Sequence, residues 1–211
     1  MREKYHLAIR DLAYGKASQG KPVYPPRDLV FQSMRLVPFN EVKVVIIGQD
    51  PYINTHNGVP EAHGLSFSVR DGIPAPPSLK NIFKEIEESV YKGVPHNFST
   101  DLTRWAKQGV LLLNASLTVI SKDSNSHAKL GWHKLTDNII STLSTNREHL
   151  VFLLWGSFAQ KKEELIDRSK HCILKTSHPS PLSAHRGFLG SGVFVKCNEY
   201  LLQTGQTPIR W

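Results

Sequence analysis

The apolar run Val44-Val45-Ile46-Ile47-Gly48 leads straight into Gln49, Asp50, Pro51 and Tyr52. A carboxylate delivered by the end of a buried strand can orient a water molecule or stabilise a developing cation. An Asp before Pro equally suits a plain turn. A second apolar run, "VLLL", ends in Asn114. A buried amide offers both donors and acceptors, which is what discrimination between nucleobase edges requires. A strand-end Asn making a turn is the simpler use of the same residue. "WGS" places Gly156 and Ser157 at the start of a helical stretch. Free backbone N–H groups there can bind phosphate, and a serine there can also act as a cap. The segment "HPSPLSAHRG" (178–187) carries His178, Ser180, Leu182 and Ser183. Its prolines stiffen the loop, and its serines can hold phosphate oxygens. Leu182, apolar among polar neighbours, suits either a wedge entering a base stack or a side chain folded back onto the core.

These residues need a frame that brings them together. Four short apolar runs stand out, at 42–48, 109–114, 149–156 and 171–177. The first three are near-continuous rather than alternating, the signature of strands covered on both faces. Helical stretches are expected between them: 79–91, roughly 132–145, and "SFAQKKEELIDRS". In the first, Leu79, Ile82, Phe83 and Ile86 share one helical face, and Ser78 is placed to cap its start. The order β, α, β, α, β, α, β predicts a three-layer α/β/α fold around a central four-stranded parallel sheet, in a single domain over 1–211. Ligands of such sheets sit beyond the carboxyl ends of the strands. Each of the four runs ends in polar residues of different chemistry, so one sheet edge would gather them.

The bulk numbers narrow the classes. The chain has 211 residues, 40% hydrophobic and 21% charged, an ordinary globular balance. Lys+Arg is 26 against 18 Asp+Glu, a formal net charge of +8. From Arg168 onward the basic residues Arg168, Lys170, Lys175, Arg186, Lys196 and Arg210 face the single acid Glu199. Such an excess suits a polyanionic partner, and also plain solubility. The two cysteines, Cys172 and Cys197, make no disulfide framework and read as buried free thiols. No apolar run approaches the ~18 residues of a membrane span. "MREKYHLAIRDLAYG" lacks the apolar core of a secretory signal. A soluble intracellular protein without membrane contact is expected. "GFLGSG" has the wrong glycine order for a dinucleotide fingerprint. G-x-S-x-G and Walker A stretches are missing, and the histidines of "SNSHAKLGWH" lack zinc-type spacing.

Together, "GQDPY" after a hydrophobic strand, "LLLN", "WGS" and "HPSPLSAHRGF" resemble the family 1 uracil-DNA glycosylases. The resemblance runs from about "YPPRDLVF" to the final Trp and takes in "AHGLSFSV", "PPSLKNI", "WAKQGVLLLNASLTV" and "HAKLGW". It implies a DNA repair enzyme that flips uracil out of single- or double-stranded DNA and hydrolyses its N-glycosidic bond, with no metal or other cofactor. The resemblance assigns Asp50 to water positioning and to stabilisation of the sugar cation. It assigns His178 to a neutral hydrogen bond on uracil O2. Gln49 would line the pocket, Tyr52 would block a 5-methyl group, Phe67 would stack on the base, and Asn114 would read its N3–H and O4. Ser78, Ser157, Ser180 and Ser183 would grip phosphates, and Leu182 would enter the minor groove. A monomer is expected, with a DNA-mimicking protein inhibitor as a possible partner.

The chain departs from that pattern after Tyr52. The family's usual histidine is Ile53 here, and the run to "AHGL" is longer (53–62). Isoleucine cannot hydrogen-bond, so His56 is a candidate to reach back and take over support of Asp50. Ala115 and Ser66 are tolerable small residues beside key positions. The N-terminus is expected to carry no targeting or partner-docking extension. Ile53 and the long loop also leave a second reading open: a DNA-binding scaffold on the same fold with weakened catalysis. Retention of Asp50, Phe67, Asn114 and His178 favours the enzyme.

Overall fold

The computed structural model describes residues 4–211; Met1 to Glu3, at the head of the N-terminal stretch discussed above, lie outside the described residues. In chain order the elements are α1 (Tyr5–Tyr14), β1 (Val23–Tyr24), α2 (Gln32–Leu36), β2 (Val44–Gly48), β3 (Thr55–His56), β4 (Val59–Pro60), α3 (Pro77–Ser89) and α4 (Thr103–Ala106). Then follow β5 (Val110–Asn114), β6 (Val119–Ile120), α5 (Trp132–Asn146), β7 (Val151–Trp155), α6 (Gly156–Gln160), β8 (Cys172–Thr176) and α7 (Val193–Gln203).

The main sheet has the order β5-β2-β7-β8, and every pairing in it is parallel. Strands β2, β5 and β7 are buried along their whole length, as their continuous apolar runs predicted. Alternate side chains go to opposite faces. Val44, Ile46, Val110, Leu112, Val151, Leu153 and Trp155 pack with α3 and α7 through Leu79, Ile82, Ile86, Val193 and Phe194. Val45, Ile47, Leu111, Leu113, Phe152 and Leu154 pack with Ile9 and Ala13 of α1, Trp132, Ile140 and Leu143 of α5, and Ala159 of α6. This is the expected three-layer α/β/α arrangement. From β2 the chain goes to β5 on one side; from β7 it goes to β8 on the other. The strand order therefore reverses between β2 and β7, the place where open α/β sheets leave a crevice at their carboxyl ends. No helix among the described residues is long and apolar enough to cross a membrane.

Several local expectations are corrected. Helix α3 starts at Pro77 with Pro76 as its N-cap, and no side chain caps it. Ser78 thus lies in the first turn, because the fixed φ of proline is itself suited to the first helical position. The helical stretch after "WGS" is broken into α6 and a 3-10 segment, Lys161–Leu165. Both cysteines are free, but Cys172 is half-buried on the edge strand β8 while Cys197 is fully buried in α7. The extended loop after Tyr52 is a hairpin, β3–β4, with His56 opposite Val59. Its two-residue turn is Asn57-Gly58 with φ of 49° and 78°, the backbone that Asn-Gly pairs favour because it matches strand twist.

"GFLGSG" also acquires a reason. The buried Glu85 of α3 accepts hydrogen bonds from Gly190 N at 2.6 Å and Gly192 N at 2.8 Å. Its carboxylate thereby ties the turn before α7 to α3. Charge-assisted bonds of this type are worth roughly 1.5–3 kcal/mol each. Glu85→Ala is expected to lower stability by about 3 kcal/mol, read as a reduced urea midpoint with an unchanged slope.

Candidate active site

The carboxyl ends of β2 and β5 and the loop that follows β8 open onto a cavity of about 260 Å³. Gln49, Asp50, Pro51, Tyr52, Ile53, Phe67, Ser78, Asn114, Ser124 and His178 line it, with Gly48 and Leu65. Seven residues singled out in the sequence thus meet in one place: Gln49, Asp50, Tyr52, Phe67, Ser78, Asn114 and His178. Leu182, Ser180 and Ser183 lie on the loop that continues from His178, and Leu182 is 83% exposed. Ser157 is exposed in the first turn of α6. These four do not line the cavity.

Register brings the cavity's back wall together. Gly48 of β2 pairs with Asn114 of β5, and Asn114 is buried. A Cβ on residue 48 would lie 2.2 Å from Asn114 Oδ1 and 2.9 Å from Ser66 Cβ. The amide can lie against the strand end only because residue 48 has no side chain. Gly156 plays the matching part for His178: with φ of 80°, a Cβ there would meet His178 Cβ at 2.9 Å.

Phe67 sits between the two. Its backbone is left-handed, φ 62°, an uncommon state for an aromatic residue that needs support from its surroundings. Anchors on each side supply it. Ser66 N donates to Leu112 O of β5 at 3.2 Å. Ser68 Oγ accepts from Leu102 N at 2.8 Å and bonds His63 Nε2 at 2.6 Å. Tyr52 Oη donates to Phe67 O at 3.2 Å. Burial pushes the Tyr52 phenol well above its ordinary range, so it stays a neutral donor. The Phe67 ring packs edge-on against Trp155 at 5.2 Å and lies 5.8 Å from the His178 ring.

The His178 loop is stapled from several directions. Ser183 Oγ donates to His178 O at 2.8 Å, Ser177 Oγ donates to Ser183 O at 2.8 Å, and Asn81 Nδ2 of α3 donates to Pro179 O at 2.8 Å. Ser180 N donates to His178 Nδ1 at 3.1 Å. Because Nδ1 accepts, the neutral ring carries its proton on Nε2. Burial lowers the His178 pKa below its ordinary 6.5, so the ring is a neutral donor rather than a cation near pH 7.

Asp50 is held by the head of "SNSHAKLGWH", a segment whose spacing excluded a zinc site and showed no tie to Asp50. Oδ2 accepts from Ser124 Oγ at 3.0 Å and from Asn125 N at 2.6 Å. Gln49 Nε2 donates to Asn125 Oδ1 at 3.3 Å. His56, the candidate for this task, lies in the hairpin and does not line the cavity. Ile53 instead packs against Tyr24, Ala62 and Val119. The segment carrying Ser124 is fixed behind by a buried relay: Trp132 Nε1 donates to Thr118 Oγ1 at 2.6 Å, Thr118 Oγ1 meets His127 Nδ1 at 2.8 Å, and His127 Nε2 faces Ala17 O at 3.3 Å. With Nε2–H donating, His127 too is neutral. The missed residues left little signal, since Ser124 and Asn125 lie in a polar stretch whose spacing fits no metal or nucleophile pattern.

Burial lowers His63, His127, His133 and His171 as it does His178. Folded-state values below the unfolded one mean that the unfolded chain takes up protons first as pH falls. The stability contributed by these neutral rings is complete above about pH 6.5 and is lost as pH drops through their folded-state pKa values. The expected result is a urea midpoint that declines below pH 6.5, with an NMR titration midpoint for His178 under 6.5. A His178 midpoint at or above that value would contradict the neutral donor.

A sequence model of the Uracil DNA glycosylase superfamily matches residues 34–202. The chain is 51% identical over 207 residues to a uracil-DNA glycosylase of Azotobacter vinelandii, covering 98% of this chain and 87% of that one. The crystal structure of mimivirus uracil-DNA glycosylase superposes with a TM-score of 0.91 at 30% identity, over 100% of this chain and 82% of that one. The Y322L form of the mimivirus protein, solved in complex with UGI, gives 0.92 at 30% identity, over 100% and 83%. With matches of this length joined to a cavity built from "GQDPY", "LLLN" and "HPSPLS", the chain belongs to the uracil DNA glycosylase superfamily.

Proposed function

We propose that Asp50 and His178 divide the chemistry of this chain's reaction, the excision of uracil from DNA by hydrolysis of an N-glycosyl bond. The observation that carries this assignment is the convergence of Asp50, Tyr52, Phe67, Asn114 and His178 on one cavity of about 260 Å³. That volume falls just under the ~300–1,000 Å³ of pockets for larger ligands and suits one extruded base.

Breaking the C1′–N1 bond leaves an oxocarbenium-like sugar and an anionic base. The carboxylate of Asp50 stabilises the first and orients the attacking water. The Nε2–H of His178 donates to uracil O2 as negative charge gathers there, and a donor fixed beforehand needs no reorganisation in the transition state. Phe67 stacks on the base, and Asn114 pairs with N3–H and O4. Tyr52, locked by its bond to Phe67 O, fills the space a 5-methyl group would need, and Gln49 closes the pocket rim. Extrusion of the base costs roughly a few kcal/mol. Phosphate contacts from Ser78, Ser157, Ser180 and Ser183 offset it, and so does Leu182, whose exposed side chain can occupy the vacated place in the stack. The UGI complex of the mimivirus relative supports a protein inhibitor that mimics DNA as a partner for the same face. We read the chain as a monomer acting inside the cell.

The test is release of free uracil from a uracil-containing oligonucleotide with EDTA present. Wild-type protein is expected to release it, and Asp50→Asn to slow release by about 100-fold or more. An Asp50→Asn rate equal to wild type would remove Asp50 from the mechanism. Tyr52→Ala is expected to release thymine from ordinary DNA; continued rejection of thymine would refute the steric gate.

A further inference from the structure

We infer that Ser124 is a positioning residue for Asp50, and that the turn carrying it acts as a splint along the 49–53 segment. This inference rests on the reading of Asp50 as the carboxylate that meets the sugar and the water. A carboxylate with two free oxygens can rotate about its last torsion. Here one oxygen, Oδ2, is engaged by two donors, Ser124 Oγ at 3.0 Å and Asn125 N at 2.6 Å. That leaves Oδ1 as the oxygen free to take the water, and it fixes the plane of the group before substrate arrives. Preorganisation of this kind lowers the barrier without adding ground-state affinity.

The contact is part of a built arrangement rather than a chance meeting of two polar side chains. The turn runs alongside the segment at several points: Lys122 N donates to Ile53 O at 3.0 Å, and Gln49 Nε2 donates to Asn125 Oδ1 at 3.3 Å. Lys122 and Asn125 both adopt left-handed backbone, φ 61° and 64°. In Asn125 the resulting geometry points the N–H at Asp50. Strain of this sort persists only where the surroundings over-determine it. They do so here: Ser126 Oγ accepts from Ile120 N at 2.8 Å, and Asp123 N donates to Ile120 O at 3.0 Å. Ser124 itself lines the cavity. The side chain at position 53, an isoleucine turned into the Tyr24–Ala62–Val119 cluster, contributes no donor, so the donors that hold Asp50 come from a turn more than seventy residues away in sequence.

Ser124→Ala removes one donor to a charged acceptor, and Ser124→Thr keeps it. With uracil release from a single oligonucleotide as the assay, Ser124→Ala is expected to lower kcat about tenfold with KM within about twofold of wild type. Ser124→Thr is expected to recover most of that loss. The urea midpoint of Ser124→Ala should match wild type, since the side chain is exposed. If Asp50→Asn is impaired while Ser124→Ala turns over like wild type, the splint is overturned and the Asp50 assignment stands. If Asp50→Asn itself is fully active, the Asp50 assignment fails and this inference with it. Equal losses in the Ala and Thr variants, or a loss confined to KM, would also overturn it, because neither follows from a missing hydroxyl donor.

Discussion

The double pairing of β2 governs this molecule. Strand β2 is hydrogen-bonded in parallel to β5 on one side and β7 on the other, with Val44 opposite both Val110 and Val151. Parallel register aligns the carboxyl ends of all three strands, so the loops that leave them must share one edge. A slip of one residue would turn the apolar set of β2 to the wrong face and would also part Gly48 from Asn114. Burial on both faces holds the register against such a slip. The geometry of the candidate site is therefore set by the same apolar contacts that stabilise the fold.

Burial also decides the chemistry of the polar groups at that edge. An imidazole in water is divided between two charge states near neutral pH. His178, desolvated and accepting the Ser180 N–H on Nδ1, is left neutral with a single donor. Tyr52 is held as a phenol for the same reason. Glu85 shows the opposite solution: a fully buried carboxylate is tolerated because backbone N–H groups of the turn before α7 converge on it. His178 Nδ1, the Tyr52 hydroxyl and the Glu85 carboxylate are each kept by a specific partner supplied by backbone.

Much of the fold was legible beforehand. The apolar runs of β2, β5 and β7 are continuous, and continuity means cover on both faces; that alone implied a parallel sheet with helices on either side. The placing of Asp50 and Asn114 at one sheet edge was legible because each stands at the end of such a run; His178 follows the less continuous run of β8. Strand order was not legible, since periodicity says which face is buried but not which strand is the neighbour. The start of α3 was misplaced at Ser78 because proline and serine both mark helix starts, and here proline prevailed. His56 was misjudged as a helper of Asp50 because closeness in sequence stood in for closeness in space.

By itself, then, the sequence determined the layered α/β architecture and the identity of the polar groups that stand at the strand ends. These follow from local composition: side-chain period, turn-forming residues and the chemical type of each residue. The tertiary structure alone decided who supports those groups. Ser124 and Asn125 reach Asp50, Leu102 N reaches the Ser68 hydroxyl beside Phe67, and Asn81 pins the loop after His178. Such contacts join residues far apart in the chain, and nothing in a serine or asparagine among other polar residues announces its partner. Only the packing of the helices against the sheet brings the donor within 3 Å of the acceptor.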